Sequence, residues 1–480
     1  MIKRDNSIIP IGNWNMGGLA DSKFSGIKDS FYKLVGLNMH SKPGVITVAQ
    51  KLTKDSGSTV TEFCKAGISA TNGIRYWFSA DSGKIWQDKA GTYTLVYTAS
   101  AGAGESKCLG AMEYQGYLYW ATQSRLHRIA TANADGAAAW TANIALNWAT
   151  FTITDILFHP MVIQNQVLYI GDANYLAQVD SGVFTANALD IESPLRIKAL
   201  GKIGTDVLLG TYIADTITSC QIIRWNTWSV SFTVSDDIPE AGINAFIPGD
   251  NMVLVQAGFA GNIYFYNGTQ LELYRKIPGD YTPTAYGYVH PQAVANFQGE
   301  MLIGFSNGSG DPALEGVYRI AKNSRNYPLI TDFPYPISQR STGALVVTGV
   351  EIGVVLACGT NLYVAWKNGT SYGIDKLDWS NKMEAAYLET RIMTVRREEY
   401  FNISKFLVAY DSLPTSTDVT IQYAKNYGSY TATTEVTDTD RKIIYADSEG
   451  LEVNTLQLKL LFTVSSNNAP SLESAGVLLR

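Results

Sequence analysis

Gln115-Gly116-Tyr117-Leu118-Tyr119-Trp120-Ala121-Thr122-Gln123-Ser124-Arg125-Leu126-His127-Arg128-Ile129 is the stretch that decides the fold. It reads as a turn, a strand, a polar turn and a second strand. Tyr117 and Tyr119 alternate with Leu118 and Trp120, the period of two that a pleated strand requires. Leu126 and Ile129 continue the apolar pattern after the break. Aromatic and branched residues of this kind pack well on a pleated surface.

The phrase recurs along the chain. Asn72-Gly73-Ile74-Arg75-Tyr76-Trp77-Phe78 precedes it and Gln166-Val167-Leu168-Tyr169-Ile170-Gly171 follows it. Later copies begin at Asp206, Asn251, Gly299 and Gly353, each answered by a second strand such as Asn262-Ile263-Tyr264-Phe265-Tyr266 or Asn361-Leu362-Tyr363-Val364-Ala365-Trp366. About seven copies spaced by roughly 40 to 54 residues match the interval of one four-stranded propeller blade. The expected fold is therefore all-β: an irregular propeller of about seven blades over residues 60–386, preceded by an arm and ring-closing segment at 1–59. From 387 the repeat stops. Strands are expected at 388–395, 405–410, 418–423, 441–445, 456–464 and 476–479, with polar turns between them, which suggests a β-sandwich over 387–480. The alternating run Thr455 to Phe462 should be central in it. Helical periodicity is almost absent, with a weak candidate only at 382–386. The Asn-Gly pairs at 267–268, 307–308 and 368–369 read as type I′ turns.

Charged residues make up only 17% of the 480 residues, which fits much sheet surface and large subunit interfaces. The net charge of −6 argues against a protein that grips phosphates. Cys64, Cys108, Cys220 and Cys358 form no C-x-x-C pair and read as free thiols. The N-terminus shows no apolar signal region, and no run approaches bilayer-spanning length, so synthesis in a host cytoplasm is expected.

The sharpest motif is Ser79-Ala80-Asp81-Ser82-Gly83-Lys84-Ile85-Trp86, which matches the Asp-box S-x-D-x-G-x-x-W of sialidase-like propellers. Asp81 can cap turn amides, Gly83 supplies the bend and Trp86 packs into the blade. Ser79, Asp81, Gly83 and Trp86 are thus expected to brace a turn, with no catalytic role. His40, His127, His159 and His290 are scattered, and His127 reads as a surface residue. Asp155 and His159 lie four apart on an expected strand, too far for one small ion. Asp236-Asp237-Ile238-Pro239-Glu240 reads as a solvated loop, and Arg391, Arg396 and Arg397 with Glu398 and Glu399 as an interface or protected edge. No nucleophile elbow, phosphate loop or H-E-x-x-H is present. No catalytic residue, metal or cofactor is expected.

Taken in order, the arm Asn15-Met16-Gly17-Gly18-Leu19 through Leu37-Asn38 and Pro43-Gly44, the propeller, and the sandwich ending Ser471-Leu472-Glu473-Ser474-Ala475-Gly476-Val477-Leu478-Leu479-Arg480 resemble virion proteins of tailed bacteriophages, of the nozzle or tail-hub class. The resemblance implies a non-enzymatic homo-oligomeric ring, commonly of six subunits, in the virion tail. Its partners would be other tail proteins such as an adaptor or fibres, with DNA passing nearby without specific contact. Two other readings stay open. A receptor- or glycan-binding propeller would gather aromatics such as Trp225, Trp228 or Trp366 on one face. A sialidase-like hydrolase would bring carboxylates and arginines together at the axis.

Overall fold

In the computed structural model, the phrase at 115–129 builds one four-stranded antiparallel sheet, in which Gly110–Tyr114, Tyr117–Ala121, Arg125–Ala130 and Ala145–Thr150 pair in sequence order. The structure describes residues 8–11, 14, 17–26, 29–99, 106–153, 156–214, 219–249, 252–279, 281–282, 286–307, 315–322, 328–338, 349–394, 401–433 and 442–479. The alternation seen in the sequence buries both faces of this sheet. Leu118 and Trp120 join a core with Phe78 and Ile85 of the preceding sheet, while Tyr119 packs with Leu168 and Ile170 of the following one. A sheet sandwiched on both faces needs apolar residues at odd and even positions alike, which explains why Tyr, Leu, Tyr and Trp stand side by side.

Sheets of the same meander form occur at 64–98, 161–190, 195–238, 243–276 and 287–336. The first strands of successive sheets lie against one another: Cys64–Ser69, Gly110–Tyr114, Met161–Gln164, Leu195–Ile203, Ile243–Gly249, Gly287–Phe297 and Val350–Cys358, with the last returning to the first. This closed ring of radially packed sheets is a β-propeller. Its final sheet contains Val350–Cys358, Asn361–Asn368 and Ser371–Lys382, and takes its outer strand from far upstream, Gln50–Lys54. Leu52 of that strand is fully buried opposite Leu377.

The remaining upstream residues tie the ring to the C-terminal strands. Phe31–Val35 lies between Leu329–Pro336, to which it is parallel, and Ala386–Thr390, to which it is antiparallel. The sheet at 287–336 therefore continues through the arm into Ala386–Thr390, Thr455–Thr463 and Asp418–Lys425, a sheet of ten strands. A second sheet joins Leu37–Asn38, Ile46–Val48, Ser471–Leu479, Phe401–Tyr410 and Lys442–Val453, and Ile8–Pro10 pairs with Ser471–Leu479. Phe406 of this sheet stacks on Tyr423 of the longer one, ring centroids 5.3 Å apart, in a core with Val408, Leu458 and Leu460.

Several local expectations change. The only helix longer than one turn among the described residues is Ala137–Asn143, where Trp140 is buried against Tyr76 and Tyr97; the weak candidate at 382–386 is a turn. No strand covers 152–158, of which 154 and 155 lie outside the described residues. Type I′ geometry appears at Gln115–Gly116, with φ of 46° and 78°, and not at the Asn-Gly pairs of 267–268 and 368–369. Asn368 pairs with Ser371 across its turn, so Gly369, φ 58°, is the first central residue. Asn267 instead accepts hydrogen bonds through Oδ1 from the amides of Thr269 and Gln270 at 3.0 and 2.8 Å. Gly308 lies outside the described residues.

If the upstream strand closes the ring, Leu52→Ala should lower stability by about 2–5 kcal/mol, the usual cost of emptying a buried leucine site. Thr53→Ala on the exposed side should change it by less than about 0.5 kcal/mol. Urea unfolding measures both, and equal midpoints for Leu52→Ala and the parent would refute the closure.

Candidate functional site

Propeller sites form where first strands converge, so the axis is where side chains far apart in sequence meet. One strand departs from regular pairing there. Between Val289 and Val294 the register of Gly287–Phe297 against its neighbour shifts, and His290, Pro291, Gln292 and Ala293 bulge. Gln292 then crosses the axis. Its Oε1 accepts the Gly67 amide at 3.0 Å, and its Nε2 donates to the Ala111 carbonyl at 2.6 Å. The axis is thereby bridged from one side of the ring to the other. Beyond Gln292, toward the C-terminal ends of the first strands, lies a cavity of about 470 Å³ lined by Ile68, Met112, Glu113 and Leu356 among others.

At the opposite end the first strands carry Lys65, Lys198, Asn244, His290 and Glu351. Glu351 accepts a hydrogen bond from the Tyr288 hydroxyl at 3.0 Å and lies 3.5 Å from the Lys367 ammonium and 3.7 Å from His290 Nε2. The His290 imidazole, then Lys367 and the Tyr288 hydroxyl, hold the Glu351 carboxyl down at about 2 against its own burial. Burial lowers His290 to about 4; Glu351 opposes this, and Lys65 and Lys198 reinforce it. At neutral pH His290 is therefore uncharged, 3.7 Å from Glu351, and Lys367 and the Tyr288 hydroxyl hold the carboxylate there; the imidazole adds its charge only below about pH 4, where Glu351 itself titrates. Lys198 donates to Asn244 Oδ1 at 2.6 Å, and burial brings its ammonium down to about 8. Asn244 is oriented by its own Nδ2, which donates to Gln256 Oε1 and the Gly258 carbonyl, both at 2.7 Å.

The residues singled out by motif lie elsewhere. Ser79 ends one strand and Lys84 begins the next, so the Asp-box forms the turn between them. Ser79 Oγ accepts the Asp81 amide at 2.9 Å, Asp81 Oδ2 accepts the Phe63 amide at 3.2 Å, and Gly83 has φ 71°. Trp86 is buried with Trp77, Tyr363 and Ile374 between the first and last sheets. Glu62, which no motif marks, gathers the turn: Ser79 and Ser82 donate to it, each at 2.5 Å, and Lys84 pairs with it at 2.6 Å. Burial raises the Glu62 carboxyl, but these donors outweigh it and the net shift is downward.

His127 is a correction. It is buried, stacked on Trp120 at 5.2 Å, because the strand's other face meets the neighbouring sheet instead of solvent. Asp236–Ile238 end an outer strand, and Glu240 accepts from Asn262 and Tyr264, so this acidic run is partly built into a sheet. Trp225 and Trp366 are buried, whereas Trp228 is 86% exposed. Cys64, Cys108 and Cys220 are buried free thiols and Cys358 is half-buried. Arg391 donates to the Ser30 and Gly26 carbonyls, while residues 395–400 lie outside the described set. Among the described residues no three His, Cys, Asp or Glu side chains gather as a metal site.

No protein-family model matches this chain, and no curated protein does. Solved structures similar to it include a virginiamycin B lyase from Staphylococcus aureus, at TM-score 0.47 and 12% identity, covering 68% of this chain and 98% of that one. The β-propeller domain of Cps50 (Swd1) from Myceliophteria thermophila aligns at TM-score 0.44 and 12% identity over 68% of this chain and 98% of its own. The extracellular domain of a hybrid two component system from B. thetaiotaomicron aligns at 0.46 and 12% over 85% of this chain, which spans 47% of that longer one. These likenesses concern fold and bring no activity to this chain.

The histidines set a pH dependence. His40, His127, His159 and His290 are each lowered to about 4 by burial. The unfolded chain protonates them near 6.5 and the folded chain does not, so their contribution is complete above 6.5 and is lost as pH falls toward 4. Asp172 and Asp375, raised by burial to about 6, take up protons in the folded state and offset part of this loss below 6. Four groups against two leaves a net loss on acidification on the order of 3 kcal/mol per pH unit. Denaturant midpoints between pH 7 and 5 measure it; a midpoint that rises on acidification would contradict the burial of these imidazoles.

Proposed function

We propose that this chain is a non-enzymatic structural protein of a bacteriophage tail, of the nozzle or hub kind, that assembles into a ring. In this reading the radial sheets are the seven blades of a propeller, and the two C-terminal sheets are a β-sandwich that makes subunit contacts. The observation that carries it is the arm strand Phe31–Val35, which fuses a propeller sheet and a C-terminal sheet into one sheet of ten strands. Parts fused through main-chain hydrogen bonds transmit load as one body, which suits a wall component better than a hinged enzyme.

Two further features support it. The axis is bridged by Gln292, so a conduit for a duplex would have to lie between chains, as it does in a ring of subunits. The rim exposes apolar side chains on outer strands and turns: Val183, Trp228, Val230 and Leu273 are 65%, 86%, 98% and 59% exposed. Apolar groups of this size on the outside suit burial against another copy. Trp228 is held by a rigid turn in which Asn226 Oδ1 accepts the amides of Trp228 and Ser229, each at 3.0 Å. A receptor- or glycan-binding tip is the second reading, and the exposed Trp228 ring is the observation that favours it.

Negative-stain microscopy of the purified chain, with mass spectrometry of phage particles, tests the first reading. Closed rings are expected, together with the chain as a stoichiometric particle component. Trp228→Asp combined with Val230→Asp should lower ring yield about tenfold while leaving the unfolding midpoint in place. A chain that stays monomeric at high concentration and is absent from particles would refute the proposal.

A further inference from the structure

The mouth of the axis at the Lys198 end carries a feature that the tail reading does not use. The Lys198 ammonium lies 5.2 Å from the Phe158 ring centre, 5.8 Å from Phe259 and 6.0 Å from Tyr212. Lys65 and Lys367 lie 5.5 and 5.8 Å from the ring of Phe63. The rings themselves form a chain: Phe259 to Tyr286 at 5.3 Å, Tyr286 to Tyr288 at 6.0 Å, Tyr288 to His290 at 5.1 Å and His290 to Phe63 at 5.8 Å. Phe259 and Tyr286 are 40% and 38% exposed, so solvent reaches this belt.

The charge does not balance. Glu351 and, beside Lys65, Asp81 are the carboxylates that act on the cluster, and Glu351 is already engaged by Tyr288 and Lys367. Among the described residues no carboxylate lies within ion-pair distance of Lys198 or Lys65, and the partner of Lys198 is the neutral amide of Asn244. The rings satisfy part of each cation's field but carry no net charge. The lowering of the Lys198 ammonium to about 8 is what an uncompensated cation under desolvation shows. Lys65 has the field of Glu351 and Asp81, whereas Lys198 has only a neutral partner, so the positive charge left over at this mouth sits on Lys198, where it attracts an anion.

The walls narrow the class further. Phe259 and Tyr286 meet at 61°, a corner and not a pair of parallel plates. A flat base would need two parallel faces, whereas a corner accepts a saturated ring that lays one apolar face on one aromatic surface.

We propose that this mouth binds an anionic monosaccharide, its phosphate or carboxylate set against Lys198 and its apolar face on Phe259 and Tyr286. Phosphate and carboxylate share this chemistry, and the test separates them. The site stands apart from the tail reading, because a single chain holds all of it and ring assembly is not required.

Isothermal titration of the full chain with glucose 6-phosphate, glucuronate, glucose and inorganic phosphate tests the proposal. At least one charged sugar should bind about tenfold more tightly than both glucose and phosphate, and the one that does assigns the anionic group. Lys198→Met, which keeps the stem and removes the charge, should weaken that sugar about tenfold. Phe259→Ala, at an exposed position where folding is not at stake, should weaken the sugar and leave inorganic phosphate unchanged. No binding by either charged sugar overturns the proposal, as does glucose or phosphate binding equally well. Binding that survives Phe259→Ala at full strength overturns it even where Lys198→Met does not fold.

Discussion

A ring of sheets has one unavoidable seam, and the hydrogen bonds that close it decide whether the rest can exist. Here the seam is closed by Gln50–Lys54 on Ser371–Lys382, so the outer strand of the last sheet comes from more than three hundred residues upstream. Without it, Ser371–Lys382 would present a bare edge of unpaired amides and carbonyls, a template for wrong pairing. The residues just before this strand do similar work. Phe31–Val35 joins two parts of the ten-stranded sheet, and Leu37–Asn38 with Ile46–Val48 begins the second C-terminal sheet. A short upstream segment therefore holds the propeller and the C-terminal sheets in register.

One buried charge fixes that segment. Arg319 is 1% exposed; its Nη2 donates to Asp332 at 2.5 Å and to Asn38 Oδ1 at 2.8 Å, and its Nη1 donates to Glu300 at 3.0 Å. Burial disfavours the guanidinium, but Asp332 and Glu300 outweigh burial and hold it charged. A guanidinium in so dry a place gains little net stability from its pairing, since desolvation takes back most of the Coulomb energy. What it gains is specificity. Asn38 must sit where the third donor points, and any slip of the arm by one residue would leave a buried donor unpaired.

The repeat was legible in the sequence because its period of two is a local property. Leu118 and Trp120 against Tyr117 and Tyr119 report a strand wherever they occur, and their continuous apolarity reports burial on both faces. The same local signal misled at His127. A polar residue between Leu126 and Arg128 reads as outward-facing, yet in a radial stack the outward face of one sheet is the inner face of the next. The Asp-box turn was legible because its bonds run between near neighbours, while Glu62 was not, since its partners Ser79, Ser82 and Lys84 meet it only after the strands are paired. The polar end of the axis was invisible for the same reason. Lys65, Lys198, Asn244, His290 and Glu351 come from different sheets, and nothing local to any one of them marks convergence.

The bulge at His290–Ala293 shows why a propeller axis cannot be read as a pore. Regular first strands would leave a channel, and a register shift in one of them is enough to carry Pro291 and Gln292 into it. Gln292 then exchanges two amide contacts across the ring, satisfying Gly67 and Ala111, whose peptide groups face the axis and would otherwise turn to water. The side chain acts as a strut between sheets that do not adjoin in the ring, and it divides the axis into the cavity beside Glu113 and a cationic, aromatic mouth. A passage wide enough for a duplex and a bridged axis exclude one another within one chain. On the reading proposed above a conduit would be bounded by outer surfaces of several copies, and the axis is free to serve a separate purpose.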